Sequence, residues 1–407
     1  MVAAAAVLSH LPVPTGCAVV RDGDATVVCA APEEVRVARG QRSFAVLDDA
    51  AAGGFWAGFL AYDLGRAIER VEPGAADDLD LPDLVLARFG ARLVIRAGAE
   101  PVVHGDGPAA EALARAAWRA RRPTPPPQLS PVPGWVTSLD RDAHARAVGC
   151  VLGLLRDGEC YQVNLTRRLR APVALDPVAL FDALTRVNPA PHAALVHPGP
   201  DLPGVSVVSA SPELFLRVEG RHVVTRPIKG TGRDPARLAN SAKDRAENVM
   251  IVDLARNDLG RVCEFGTVRV GALCAVEAHP GLHHLVSTVE GRLRAGVTLG
   301  DVVRATFPPA SVTGAPKPRV LQVIEDLEPV RRGVYCGAVG WIDGDAGRAE
   351  LAVAIRTFTI AGGATHLGVG GGIVADSRAD AEWAETELKA ARLLAAAAGR
   401  ESGARAR

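Results

Sequence analysis

Residues 121–133 read RRPTPPPQLSPVP, with six prolines in one short run. Proline lacks an amide proton and has a fixed φ, so this stretch can be neither a helix interior nor a central strand. It divides the chain into an N-terminal part (1–120), a linker (121–134) and a long C-terminal part (135–397). The N-terminal part carries short β-like runs, ATVVCA at 25–30 and ARLVIRA at 91–97, and ends in a helical AAEALARAAWRARR. Beyond the linker, the apolar spacing predicts helices at 141–157, 177–187, 237–258, 317–326 and 378–397. Between them lie strand-like YQVNLTRRL, VSVVSAS, ELFLRVEGRHVVTRPI with a turn at Glu219–Gly220, GTVRVGALCAV, GLHHLVSTVEGRL and THLGVG. Strand runs mixed with helices, without regular βα alternation, predict an α+β protein with large sheets. Residues 398–407 read as a disordered tail.

Charge narrows the class of partner. The chain has 46 basic and 46 acidic side chains and no net charge. That balance argues against a nucleic-acid partner and against a polybasic membrane surface. No apolar run is long enough to span a bilayer. The start, MVAAAAVLSHLPVP, has no basic region ahead of its apolar residues, so a signal peptide is not expected. Seven cysteines form no C-x-x-C pair, which fits reduced thiols and a cytoplasmic location.

Four lysines stand against 42 arginines, so each lysine is conspicuous: Lys229, Lys243, Lys317 and Lys389. Lys229 sits in RPIKGTG, next to Gly230 and Thr231. Lysine can lose its proton on burial and act as a nucleophile. Glu213, in SPELF, starts the same apparent hairpin and could move protons beside it. Asp244 and Glu247 share a helix face at i,i+3, and so do Glu382 and Glu385. Two such faces could meet around a hard cation; each could equally be a solvated face paired with Arg245 or Lys389. Gly370–Gly371–Gly372 fits a G-x-G-x-x-A pattern through Ala375, but no strand follows for a dinucleotide fold. A backbone nest for an anion and a plain tight turn both remain. Arg356 interrupts the apolar LAVAIRTF and calls for an anionic partner, substrate or structural. His284, Ser311, Tyr335 and Lys389 are further polar groups in apolar or glycine-rich runs.

Taken in order, the segments CYQVNLTRRL, SASPELFLRV, RPIKGT, SAKDRAENVMIVDLARNDLGRV, HHLVSTVEG, FPPASVTGAPKPR, RRGVYCGAVGW, AIRTF and GGGIVADSRADAEWAETELKA resemble the chorismate-utilising enzymes. The resemblance covers about residues 135–397; GGFWAGFLAYDLGRAIE extends it more thinly into the N-terminal part. It implies the anthranilate synthase component I-like fold, two large packed β-sheets flanked by helices. It also implies one Mg²⁺ on Glu247 and Glu385, with Asp244 and Glu382 behind them. Gly230, Thr231, Ser311, Tyr335, Arg356, Gly370, Gly372 and Lys389 would surround substrate or metal, and His284 would lie beside the ring.

Two positions separate members of the group. Water-adding members carry a lysine where this chain has Gln162, so the resemblance argues against water addition. The PIKGT form around Lys229 is similar to aminodeoxychorismate synthases, in which that lysine is the proposed covalent nucleophile; anthranilate synthases typically show alanine there. The implied activity is amination of chorismate to 4-amino-4-deoxychorismate, for 4-aminobenzoate and folate synthesis. Lys229 would act as nucleophile and Glu213 as proton carrier, with His284 in support. Anthranilate synthesis and a silent chorismate-binding subunit are the alternatives. No glutaminase nucleophile motif is present, so ammonia is expected from a separate glutamine amidotransferase subunit. Pro309 and Ala310 depart from the small residue and glycine common in the family ahead of Ser311.

Overall fold

The structure is a computed structural model and describes residues 3–11, 16–122, 125, 127–279 and 282–399. Most of the expected tail, from residue 400 on, lies outside the described residues, as do linker positions 123, 124 and 126. Among the described residues the strands form two sheets, one of eleven and one of ten.

Among the described residues the N-terminal part builds no sheet of its own. Its strands Cys17–Asp22, Ala25–Ala30, Arg92–Ile95 and Val102–His104 extend the eleven-stranded sheet. Phe55–Leu60, Leu84–Phe89 and Glu34–Ala38 extend the ten-stranded one. The two sheets pack through a core that includes Phe55, Phe59, Val207, Val339 and Trp341. Strands there are buried on both faces and read as continuous apolar runs, as FWAGFL does. Helices cover the outer faces. Pro177–Val187 and Ala379–Ala397 contribute to one outer core, and Arg42–Ala51, Leu299–Thr306 and Lys317–Leu327 to the other.

Local chemistry sets the ends of these helices. Asp140 and Asp176 accept from the amides of Ala143 and Ala179, starting Arg141–Arg156 and Pro177–Val187 close to where the spacing predicts them. The single helix expected at 237–258 is two, Pro235–Ala239 and Ala242–Gly260. Ser241 breaks it: its hydroxyl accepts from the Asp244 amide and starts a new helix. The turn expected at Glu219–Gly220 falls one residue later, because Glu219 pairs with His222 and leaves Gly220–Arg221 as the loop.

Both sheets open at one end. Strand Arg348–Val353 of the ten-stranded sheet leads, through a short link at Arg356, into Thr357–Ala361 of the other. Ala364–Ile373 pairs with Thr357–Ala361 only through Leu367, so its last residues keep strand Gln162–Ala171 on one side and no strand on the other. This gap holds the candidate site.

His144 tests the packing between helices Arg141–Arg156 and Ala379–Ala397. Its buried ring meets Trp383 edge-on at 5.5 Å. Burial, with help from Arg167, pushes its pKa from 6.5 down to about 4. The unfolded chain therefore binds a proton between these values that the folded chain refuses, and stability is lost as pH falls. His144→Phe should remove that loss. Between about pH 7.5 and about pH 5, the variant's unfolding free energy should gain about 2 kcal/mol relative to the parent, measured by urea denaturation. A pH-independent difference would show that the native fold protonates His144.

Candidate active site

The lysine singled out in the sequence lies in strand Ile228–Gly232, paired with Leu282–Arg292. Ile228 faces Val286 but Thr231 faces His284, so one extra residue is accommodated between them. Gly230 takes φ +83° there. This is a β-bulge, and bulges re-aim side chains. A Cβ on Gly230 would lie 2.9 Å from Asp244 Cβ, so the glycine also lets the carboxylate helix approach.

The Lys229 ammonium donates to the carbonyl of Ser311 at 2.8 Å. Removal from water lowers its pKa, while Glu213 and Glu247 pull it back up. Glu213 is buried, and burial raises its carboxyl against hydrogen bonding from Ser311 and the charge of Lys229. Both members of the pair are thus driven toward their neutral forms, the states a nucleophile and a proton donor require.

His284 is buried, and its Nδ1 lies 2.8 Å from the Thr231 hydroxyl. Burial, then Arg356 and His279, push its pKa down to about 3, so the ring is neutral at physiological pH. Its partner His279 meets it edge-on at 4.8 Å. Arg356 lies between two strands rather than inside one, as the sequence had implied, and takes φ +52°. Among the described residues its guanidinium forms no salt bridge; Glu213 supplies only longer-range attraction. A cation in this position has capacity left for an anionic ligand.

The carboxylates converge from two helices. Asp244 and Glu247 come from Ala242–Gly260, and Glu382 and Glu385 from Ala379–Ala397. A Cβ on Gly371 would lie 3.3 Å from Glu382 Oε2, 3.5 Å from Glu385 Oε1 and 3.8 Å from Lys389 Nζ. Three of the four carboxylates are held by separate partners. Ser377 donates to Glu382 at 2.6 Å, Lys389 reaches Glu385 at 2.7 Å, and Lys243 stands 4.0 Å from Glu247. Burial raises the Glu247 carboxyl, with Lys229 and Lys243 opposing. Among the described residues, no three of these groups close into a cage. The donor set suits a hard cation that keeps several waters and takes only one or two protein carboxylates, as Mg²⁺ does.

The triple glycine is not a nest after a strand. Gly370, Gly371 and Gly372 lie within Ala364–Ile373, opposite Thr166, Leu165 and Asn164. They are glycine because their neighbours are close. A Cβ on Gly370 would meet Leu165 O at 2.5 Å, and one on Gly372 would meet Gln162 Nε2 at 2.0 Å. Lys389 donates to Gly370 O at 2.7 Å. The Tyr335 ring lies over Gly368, among Cys336, Arg332 and Glu328.

Sequence reading missed the groups that hold this arrangement. Asn248, next to Glu247, donates to Leu285 O at 3.1 Å and so ties the carboxylate helix to the strand of His284. The buried pair Arg332–Glu328, at 2.6 Å, reaches Asn164 O, Val312 O and the Thr166 amide. Its one sequence signal was i,i+4 spacing, which is common on solvated helices.

Two packed sheets with a polar cleft at their open end define a known class of enzyme fold. Anthranilate synthase component I of Streptococcus pneumoniae shares it with a TM-score of 0.79 and 26% identity, over 91% of this chain and 92% of that one. The menaquinone-specific isochorismate synthase of Escherichia coli shares the fold at TM-score 0.74 and 18% identity, over 97% and 91%. Residues 14–395 match the chorismate binding enzyme family, and the chain belongs to it. Aminodeoxychorismate synthase component 1 of Salmonella typhimurium is 40% identical over 349 residues, 83% of this chain and 75% of that protein. Anthranilate synthase component 1 of Thermus thermophilus is 42% identical over 367 residues, 85% and 78%.

The glycines give a stability test. Gly370→Ala should cost about 2 kcal/mol, since its Cβ meets fixed backbone. Gly371→Ala should cost less than about 1 kcal/mol, since its Cβ points at side-chain ends in the cleft. Chemical denaturation of both variants checks the order; equal losses would place the cleft on the wrong face of the strand.

Proposed function

We propose that this protein is the synthase component that aminates chorismate to 4-amino-4-deoxychorismate. The observation that carries the reading is Lys229, held on a carbonyl oxygen beside the buried carboxyl of Glu213. Relatives named for either activity are about equally similar, so overall identity does not decide between them.

In this reading Arg356 binds a carboxylate of chorismate, and the neutral His284 packs beside the ring. Glu247 and Glu385 would hold a Mg²⁺, which would neutralise the ring carboxylate. Neutral Lys229 attacks C2 as the ring double bonds shift and the C4–O bond breaks. Glu213 gives its proton to the departing hydroxyl, which leaves as water, and regains one from the lysine nitrogen. Ammonia then forms the C4–N bond as the double bonds shift back and the C2–lysine bond breaks. Glu213 returns its proton to the lysine and takes one from the new ammonium. Chorismate plus ammonia gives aminodeoxychorismate plus water, and the enolpyruvyl ether is kept.

Ammonia would come from a separate glutamine amidotransferase subunit, in keeping with the component 1 designation of the relatives. The product would feed 4-aminobenzoate and folate synthesis in the cytoplasm. Among the described residues no helix is long and apolar enough to cross a membrane.

The test is a product assay with chorismate, Mg²⁺ and an ammonium salt, read by chromatography and mass. Aminodeoxychorismate is expected. Lys229→Ala should abolish it, and Glu213→Gln should slow it by about 10²–10⁴-fold. Anthranilate from the parent protein would overturn the reading in favour of the other named relatives. Isochorismate or salicylate would overturn the argument from Gln162.

A further inference from the structure

Lys243 is the second residue of helix Ala242–Gly260, just after the cap Ser241 and Ala242. The free amides of a first turn carry partial positive charge, so a cation there works against the helix. Its ion pair with Glu247, at 4.0 Å, recovers little of this. The i,i+4 order that favours a helix puts the acid first. Glu111–Arg115, Asp182–Arg186, Glu328–Arg332 and Glu385–Lys389 follow that order, and Lys243–Glu247 reverses it. Helix stability therefore does not account for this lysine.

The reach of its charge does account for it. Burial raises the carboxyls of Glu247 and Glu382, and Lys243 is among the charges that oppose this. Against burial, Lys389 holds Glu385 low, and Lys243 adds to its effect. One ammonium thus acts on carboxylates of both helices. The two lysines are held differently. Lys389 is fixed, at 2.7 Å from Glu385 and 2.7 Å from Gly370 O. Among the described residues Lys243 has the ion pair alone, without a hydrogen bond, and its side chain is 59% exposed. It can leave without stranding a buried donor. Arginine, the usual base of this chain, would grip a carboxylate at two points; lysine offers a compact ammonium on a flexible stem.

We infer that Lys243 is a displaceable counter-ion of the carboxylate cleft. Its ammonium neutralises Glu247, Glu382 and Glu385 in the metal-free protein and swings into solvent when a divalent cation binds. It thereby sets how tightly the cleft holds that cation. The inference rests on the Mg²⁺ reading of Glu247 and Glu385 above and is independent of which amination product forms.

The test is calorimetry of MgCl₂ binding to the full chain at low ionic strength, without chorismate. An ammonium and a doubly charged ion about 6 Å apart in water repel by roughly tenfold in binding constant. Lys243→Met removes the charge from an exposed position and keeps the length of the stem. It should tighten Mg²⁺ binding by about fivefold to tenfold, and about 0.5 M KCl should shrink the gain to less than about twofold. Lys243→Arg keeps the charge and should stay within about twofold of the parent. Unchanged or weaker binding by Lys243→Met would overturn the counter-ion role alone, and so would equal tightening by Lys243→Arg. A parent protein that takes up no Mg²⁺, or a Glu247→Gln variant that binds it as the parent does, would sink the metal reading itself.

Discussion

Taking the Lys229 ammonium out of water without giving it a counter-ion in contact is the constraint on which the site is built. A lone ammonium in a dry environment is costly, and the ordinary escape is to release its proton. Among the described residues Lys229 has one hydrogen-bond acceptor, a neutral carbonyl, and the carboxyl of Glu213, which attracts it most, is buried as well. Neither group can ionise cheaply without the other. That coupling requires the bulge at Gly230 to aim the side chain, the turn Ala310–Val312 to present the carbonyl, and the helix of Glu247 to lie close against the glycine.

Holding that turn in place falls to another buried pair. Arg332 and Glu328 have nearly every donor and acceptor matched, to each other and to backbone groups of strand Gln162–Ala171 and of Val312. A buried ion pair adds little net stability over apolar packing, yet breaking one costs about 3–5 kcal/mol. Its contribution here is geometric. It fixes the Ser311 carbonyl relative to the sheet that carries the glycines and Gln162. The cation over the Tyr62 ring, at 4.5 Å, ties the N-terminal part into the same frame, so the active cleft draws on segments from both sides of the proline-rich linker.

Much of this was legible in the sequence, where local chemistry and periodicity agreed. The helix Pro177–Val187 has an aspartate cap and a proline in its first turn, and its predicted ends are the observed ones. Lys229, Glu213, His284, Arg356 and both carboxylate pairs were legible through residue type and motif, and the fold brings them to one cleft. What failed depended on tertiary context. The glycine run looked like an anion nest or a tight turn because a single sequence does not show that Leu165 and Gln162 press against it. Arg356 looked like a strand residue because a crossover between sheets leaves no local mark. Asn248 and the Arg332–Glu328 pair were passed over because buried polar anchors resemble surface residues until their partners are known.

Two of the four lysines show how environment divides one residue type into two roles. Both are partly buried, and removal from water lowers both pKa values. Lys317 touches the carboxylate of Asp258 at 2.7 Å and the carbonyl of Thr306 at 2.9 Å. Its charge is compensated in place, and it fastens the helix Lys317–Leu327 to the end of Ala242–Gly260. Among the described residues Lys229 has a carbonyl and no carboxylate within hydrogen-bond reach. A compensated ammonium is a poor nucleophile because its lone pair is occupied; an uncompensated one gives up its proton most readily. Sequence scarcity marked all four lysines alike. It is the contacting atom, carbonyl or carboxylate, that separates a candidate for covalent chemistry from a structural tie.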